Sequence, residues 1–205
     1  MDLTRINEKL EGRKPIEILE WAFSLRKKTI ATTNFGPFEA VMLHLVQILE
    51  PQTEIIWIDS GYNTHATYKF ADRLSEQLKL NLKVYTPTIT ARRRDARMGG
   101  IPEVDTDLHR QFTEQVKIEP FRNALKEIQP EVWLTAIRRV QTAHRAGTDI
   151  VATDKSGMLK VAPVLNLTDA EMLSYLKKNN LPDEPDYYDP TKVFTNRECG
   201  LHQRE

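Results

Sequence analysis

Apolar residues in this chain recur at two spacings that take turns along the sequence, and a chain that alternates helical and extended periods has few folds open to it. Residues 15–26 open with Pro15, suited to a first helical turn, followed by Ile16, Leu19, Trp21, Phe23 and Leu25. Residues 28–33 read as a strand. A largely buried helix follows over 38–49, carrying Val41, Leu43, Leu45, Val46, Ile48 and Leu49 and stopped by Pro51. After a second strand at 54–58, residues 64–78 space Tyr68, Phe70, Ala71, Leu74 and Leu78 at helical intervals. Further strands are predicted at 80–85, 132–137 and 159–164, and a further helix at 119–128. Thr168-Asp169-Ala170-Glu171 is a capping box that opens a last helix running to Lys178. Strands separated by helices need crossover connections. The expected fold class is therefore α/β, a mainly parallel sheet with helices on both faces.

The chain has 205 residues, which suits one domain with a sizeable core. We expect a single domain, with a nucleotide-binding core over 1–180 and a C-terminal tail over 181–205. The tail begins with an acidic, proline-rich run, Pro182 to Pro190, expected to be extended and mobile. Lys+Arg and Asp+Glu both number 29, so no global basic field argues for nucleic acid and any anion site must come from local clustering. One such cluster is Arg92, Arg93, Arg94 and Arg97, although a basic surface turn is the commoner meaning of such a run. No apolar stretch has membrane-spanning length and the N-terminus lacks a signal-peptide core, so a cytoplasmic protein is expected, with no membrane partner.

In an open parallel sheet the ligand site lies beyond the carboxyl ends of the strands, and polar residues collect there. The first strand runs into Thr32-Thr33-Asn34-Phe35-Gly36, where hydroxyls and helix N–H groups can face a phosphate; a plain strand-to-helix turn explains the run as well. Asp59-Ser60-Gly61-Tyr62 after the second strand could accept from a ribose or a base amine, or be only a cap and turn. After the fourth strand, Arg138, Arg139 and Arg145, with Gln141 among them, suit bidentate contacts to phosphate or sulfate.

Cys199 is the chain's one cysteine, so it can form neither an intrachain disulfide nor a cysteine-ligated cluster. Its neighbours Arg197, Glu198 and His202 would favour a thiolate, while an inert cysteine on a chain end fits local composition equally. If Cys199 attacks an electrophile, no second cysteine can resolve the adduct, and an external thiol must complete the turnover.

Together these residues resemble the sulfonucleotide reductases, most closely the branch that uses 3′-phosphoadenylyl sulfate (PAPS). The resemblance spans about Ile16 to His202. It rests on Glu198-Cys199-Gly200-Leu201-His202, with support from Asn34-Phe35-Gly36, Asp59-Ser60-Gly61-Tyr62, Lys117-Ile118-Glu119-Pro120 and Ile137-Arg138-Arg139 with Gln141 and Arg145. It implies an adenine nucleotide alpha hydrolase-like fold and a C-terminal catalytic tail. It also implies an oxidoreductase of sulfate assimilation and cysteine biosynthesis. Cys199 and His202 would be catalytic. The substrate would be held by Thr32, Thr33, Asn34, Phe35, Gly36, Asp59, Ser60, Gly61, Lys117, Arg138, Arg139, Gln141, Arg145 and Arg197. The resemblance further implies thioredoxin or glutaredoxin as external reductant, a homodimer, and neither a bound cofactor nor a metal. A single cysteine cannot build the [4Fe-4S] cluster usual in the adenylyl-sulfate branch, which favours PAPS; cluster-free adenylyl-sulfate reductases are an alternative. Arg92 to Arg94 and Arg97 are candidates for the 3′-phosphate.

The chain departs from the family pattern in two places. Asn34 stands where a serine is usual, with Pro37 and Phe38 behind it, and the approach to Glu198 from Tyr188 to Arg197 is short. The second departure leaves room for a nucleotide-binding homologue with reduced or no turnover. An ATP-dependent adenylating enzyme of the related pyrophosphatase fold is the third alternative, but its serine-glycine-glycine loop is missing.

Overall fold

The computed structural model describes residues 1–191; Arg197, Cys199 and His202, and the expectations placed on them, lie outside the described residues. Among the described residues, six strands form one sheet in the order β3-β2-β1-β4-β6-β5: β1 Thr29–Thr33, β2 Glu54–Ile58, β3 Leu82–Tyr85, β4 Val132–Leu134, β5 Val151–Thr153 and β6 Leu159–Val161. Every pairing is parallel except β5 with β6. The α-helices among the described residues are α1 Leu3–Leu10, α2 Pro15–Ser24, α3 Glu39–Leu49, α4 His65–Leu78, α5 Ala91–Met98, α6 Asp107–Thr113, α7 Glu119–Ile128 and α8 Asp169–Lys178.

Strand alternation divides the core into two layers. Ala31, Ile55, Trp57, Val132 and Leu134 face a large apolar cluster with residues of α2, α3, α4 and α8. Their neighbours Ile30, Ile56 and Trp133 face the opposite way, onto Phe121, Ala124 and Ile128 of α7. With both faces covered, β2 carries the apolar run Ile55 to Ile58 and β4 is apolar throughout, while β1 ends in the polar pair Thr32 and Thr33. No helix of the described residues is long and apolar enough to cross a membrane.

From β1 the chain winds outward through β2 to β3, then returns through α5, α6 and α7 to place β4 on the other side of β1. The winding therefore reverses between β1 and β4, and a crevice opens where their carboxyl ends part. The crossover holds a five-residue π-helical turn, Glu114–Ile118, between α6 and α7. π-Turns inside helices collect at functional sites, and this one carries Lys117.

The elements expected at 54–58 and 119–128 match β2 and α7, and Thr168 and Glu171 form the expected capping box of α8. The strands expected at 132–137 and 159–164 stop early, at Leu134 and Val161. Residues 135–137 turn into the crevice wall instead, while Ala162 and Val164 join the apolar core. Two expectations change. The arginine-rich run is the helix α5, capped by Thr90 and ended by left-handed Gly99, rather than a surface turn. The proline-rich run Pro182 to Pro190, expected to be mobile, is tied to the rest of the fold through Asp183, Asp186 and Asp189, with Asp189, Pro190 and the following Thr191 buried.

Candidate active site

The crevice between β1 and β4 is lined by Thr32, Thr33 and Asn34, by Ser60 and Asn63, by Lys117, by Thr135, Ala136 and Ile137, and by Gln141 and Arg145. Ile56, Trp57 and Ile58 supply an apolar wall, Glu39 faces in from the start of α3, and Tyr187 to Thr191 close one side. Polar residues from each of the three strand ends thus converge on one cleft, with Lys117 and Arg145 as its cations.

The loop after β1 is tightly tied. Phe35 N–H donates to Thr33 Oγ1 at 3.0 Å, Gly36 N–H to Asn34 Oδ1 at 2.9 Å, and Phe38 N–H to Asp183 Oδ1 at 2.7 Å. These N–H groups, expected to face a phosphate, are engaged by the protein's own oxygens in this conformation. Phe35 and Phe38 adopt φ of 52° and 67°, left-handed backbone that is costly for bulky residues. Packing holds them there: the Phe35 ring meets Trp57 and Phe70 edge-on at centroid distances of 5.0 and 6.4 Å, and Arg138 lies over Phe38 at 5.0 Å. Gly36 serves close approach, because a Cβ there would come within 3.0 Å of Asn34 Oδ1 and 3.1 Å of the Tyr187 ring.

Asp59 organises the next loop. Its Oδ1 accepts from Gly61 N–H at 2.9 Å, Asn63 Nδ2 at 2.9 Å and Tyr68 Oη at 2.8 Å. Burial, then the bond to the Asp59 carboxylate, pushes the Tyr68 phenol up to about 12. Asp59 thereby shapes the turn that brings Ser60 and Asn63 to the cleft, and Gly61 supplies its left-handed φ of 82°.

Lys117 Nζ meets Asp189 Oδ2 at 2.5 Å, with both side chains largely buried. Asp189 Oδ1 also accepts from Thr191 N–H at 3.0 Å and Thr191 Oγ1 at 2.6 Å. Burial alone would raise the Asp189 carboxyl, but the Lys117 charge and the bonds from Lys117 and Thr191 outweigh it and hold the group below its ordinary value. Arg145 is buried and braced by Gln141 Oε1. The Thr135 hydroxyl is buried in the cleft wall with no hydrogen-bond partner among the described residues.

The sequence model of the Phosphoadenosine phosphosulfate reductase domain matches residues 28–189, from just before β1 to Asp189. The chain belongs to this family. Curated relatives include a phosphoadenosine 5′-phosphosulfate reductase of Synechococcus, 38% identical over 186 residues and covering 89% of this chain and 79% of the relative. Another is that of Xanthomonas oryzae pv. oryzae, 35% identical over 225 positions and covering 98% of this chain and 93% of the relative. Among solved structures, a phosphoadenylyl-sulfate reductase from Candida auris in phosphate complex superposes with TM-score 0.76 at 23% identity, over 88% of this chain and 86% of that one. Candida glabrata FMN adenylyltransferase superposes with TM-score 0.54 at 15% identity, over 76% and 48%. Both structures show the fold, a mainly parallel α/β sheet shared beyond the family.

Against this family frame, the cleft brings together Thr32, Thr33, Asn34, Ser60, Lys117, Gln141 and Arg145. Phe35, Gly36, Asp59 and Gly61 stand behind it and shape its loops. Two expected ligands are not brought in. Arg138 is buried, donating to Asp169 Oδ1 at 2.6 Å, and Arg139 donates to Glu11 Oε1 at 3.2 Å and Thr148 O at 3.1 Å. Their partners lie on α8 and beside α1, and the short 3₁₀ turn Arg139–Gln141 sends Gln141, rather than either arginine, to the cleft. Arg94 is likewise committed elsewhere, its guanidinium buried against Ile89 O and Gln115 Oε1. Sequence reasoning missed Thr135, Asn63, Glu39 and the 187–191 wall. Thr135 and Asn63 follow strand ends and could have been found by that rule; the wall depends on a chain reversal after α8 that no local pattern encodes.

Proposed function

We propose that this chain reduces 3′-phosphoadenylyl sulfate to sulfite and adenosine 3′,5′-bisphosphate, with Cys199 as nucleophile and thioredoxin as reductant, in the cytoplasm. The observation that carries the reading is the cleft at the β1/β4 reversal, which gathers hydroxyls, Lys117 and Arg145 beside an apolar wall in a chain of this family. Ile56, Trp57 and Ile58 suit a flat base, and the two cations suit the phosphosulfate. A thiolate approaching an anion is opposed by charge, so cations beside the sulfur lower the barrier. The Cys199 thiolate attacks the substrate sulfur; an S–S bond forms, the S–O bond to the phosphate breaks, and adenosine 3′,5′-bisphosphate leaves. A thioredoxin thiolate then attacks Sγ of the S-sulfocysteine, and sulfite leaves with the electron pair of the broken S–S bond. The second thioredoxin thiol resolves the mixed disulfide, so sulfur gains two electrons and thioredoxin loses two.

Intact mass spectrometry tests the reading. Reduced protein incubated with PAPS gains one sulfonate, thioredoxin removes it, and Cys199→Ser never acquires it. No adduct at saturating PAPS would overturn the proposal. One observation favours a second reading, cluster-free reduction of adenylyl sulfate: none of Arg92, Arg93, Arg94 and Arg97 lines the cleft. A kcat/KM for adenylyl sulfate above that for PAPS would select it.

A further inference from the structure

The segment 183–191 is held to the rest of the fold at four points, and its residues 187–191 line the cleft as a strap. The Asp183 carboxylate accepts the Phe38 N–H at the start of α3. The Asp186 carbonyl accepts from Thr64 Oγ1 at 2.8 Å and Thr67 Oγ1 at 3.1 Å. Lys117 holds Asp189, and His109 Nε2 lies 3.2 Å from the Pro190 carbonyl oxygen. Two of these four contacts put a carboxylate of the strap on a donor suited to an anionic ligand: a helix-terminal N–H and the π-turn lysine. The cleft left beside the strap holds about 120 Å³, against the roughly 300–1,000 Å³ usual for small-molecule sites. The strap's residues 187–191 thus form part of the wall that narrows the cleft.

We propose that Asp189 is the resident counter-ion of the anion subsite, and that the substrate's phosphosulfate takes Lys117 from it. The proposal rests on the nucleotide reading of the cleft given above. Lys117 is then never left buried without an anion: it passes from the carboxylate to the substrate, and the desolvation cost of an unpaired buried ammonium is avoided. The exchange also loosens the strap. Thr191, bonded to Asp189 through both its N–H and its hydroxyl, loses those acceptors when the carboxylate withdraws, and the chain from Thr191 leads on to Cys199. Nucleotide binding is thereby linked to loosening of residues 189–191. Asp189 acts here as a positioning residue, not a catalytic one.

Calorimetry with adenosine 3′,5′-bisphosphate, which binds without turnover, tests the exchange. Removing the competing carboxylate in Asp189→Asn raises the binding-competent fraction, so the nucleotide should bind about five- to tenfold more tightly than to the unaltered protein. Asp186→Asn removes the same charge from the same strap without touching Lys117, and should leave affinity within about twofold. Hydrogen exchange supplies the second readout: nucleotide binding to the unaltered protein should speed exchange at the Thr191 amide. Equal tightening by Asp186→Asn, no tightening by Asp189→Asn, or a Thr191 amide that stays protected in the complex would each overturn the exchange while leaving the nucleotide site intact. If the nucleotide binds none of the three proteins, the cleft reading falls and the exchange falls with it.

Discussion

Trp133 Nε1–H donates to Thr32 Oγ1 at 2.9 Å across the paired strands β4 and β1. An indole in the α7 layer of the core, 4.9 Å from the Phe121 ring and under Lys160, thus orients a hydroxyl that lines the cleft. With its oxygen accepting from the indole, Thr32 can turn its own proton to a phosphate oxygen. Trp133→Phe keeps an aromatic ring and removes the donor, and should weaken adenosine 3′,5′-bisphosphate binding about threefold to tenfold, the effect of about 1 kcal/mol expected of one hydrogen bond. Thr32→Val deprives the indole of this acceptor and should cost about 1–3 kcal/mol of stability. Because both changes break one bond, the double variant should lose less stability than the sum of the singles, as urea unfolding can measure. Strict additivity would show that the bond does not couple core and cleft.

Arg145 and Arg139 separate by location. Arg145 lines the cleft, braced by Gln141, whereas Arg139 pairs with Glu11 and Asn166 on the outer side. Arg145→Ala should lower kcat/KM about 10²- to 10³-fold, the range seen on losing one group that stabilises developing negative charge. Arg139→Ala should leave kcat/KM within about threefold, because its exposed ion pair contributes about 0–1 kcal/mol to stability and nothing to the cleft. Steady-state kinetics on the two variants reads both. Similar losses in both would place Arg139 on the substrate.

Arg94 should behave as a structural residue. Its guanidinium is 1% exposed, donating to Ile89 O at 2.8 Å and Gln115 Oε1 at 3.2 Å, and so ties α5 to the π-turn that carries Lys117. Arg94→Ala should lower stability by about 3 kcal/mol through unpaired buried groups and lost packing. The ratio of kcat/KM for PAPS over adenylyl sulfate should not change. A selective loss of PAPS activity would instead assign Arg94 to the 3′-phosphate.

What could be read from the sequence follows from the range of the forces involved. The two periodicities place β2, α7 and the capped start of α8 to the residue, because alternation and capping are local and their side chains pack as their spacing dictates. Thr32, Asn34, Ser60, Gln141 and Arg145 were equally legible, since a parallel sheet sends its strand ends to one edge. Arg138 and Arg139 were misplaced because a guanidinium goes to whichever carboxylate the tertiary fold supplies, here Asp169 and Glu11, and both are distant in sequence. The strap escaped notice for a related reason. Pro182 to Pro190 reads as a loose acidic linker, and only the folded chain brings Lys117, Thr64 and Phe38 within reach of it.

Tyr68 and Asp59 give the protein an alkaline signature. The phenol of Tyr68, half-buried and donating to Asp59 Oδ1 at 2.8 Å, titrates at about 12 against an ordinary value near 10. A group whose folded value lies above its unfolded one contributes its stability in full below the unfolded value and loses it as pH rises through the folded value. The difference in unfolding free energy between the unaltered protein and Tyr68→Phe should therefore be flat below pH 10 and shrink between pH 10 and about 12. Its plateau should be about 1 kcal/mol, since partial exposure weakens the bond to the carboxylate. Loss of the bond also loosens the turn that Asp59 holds through Gly61 and Asn63, so KM for the nucleotide should rise more than kcat falls. Denaturant melts across alkaline pH, with phenolate absorbance followed in parallel, check the sign. A stability difference that stays constant through pH 12 would mean that Tyr68 does not share its proton with Asp59.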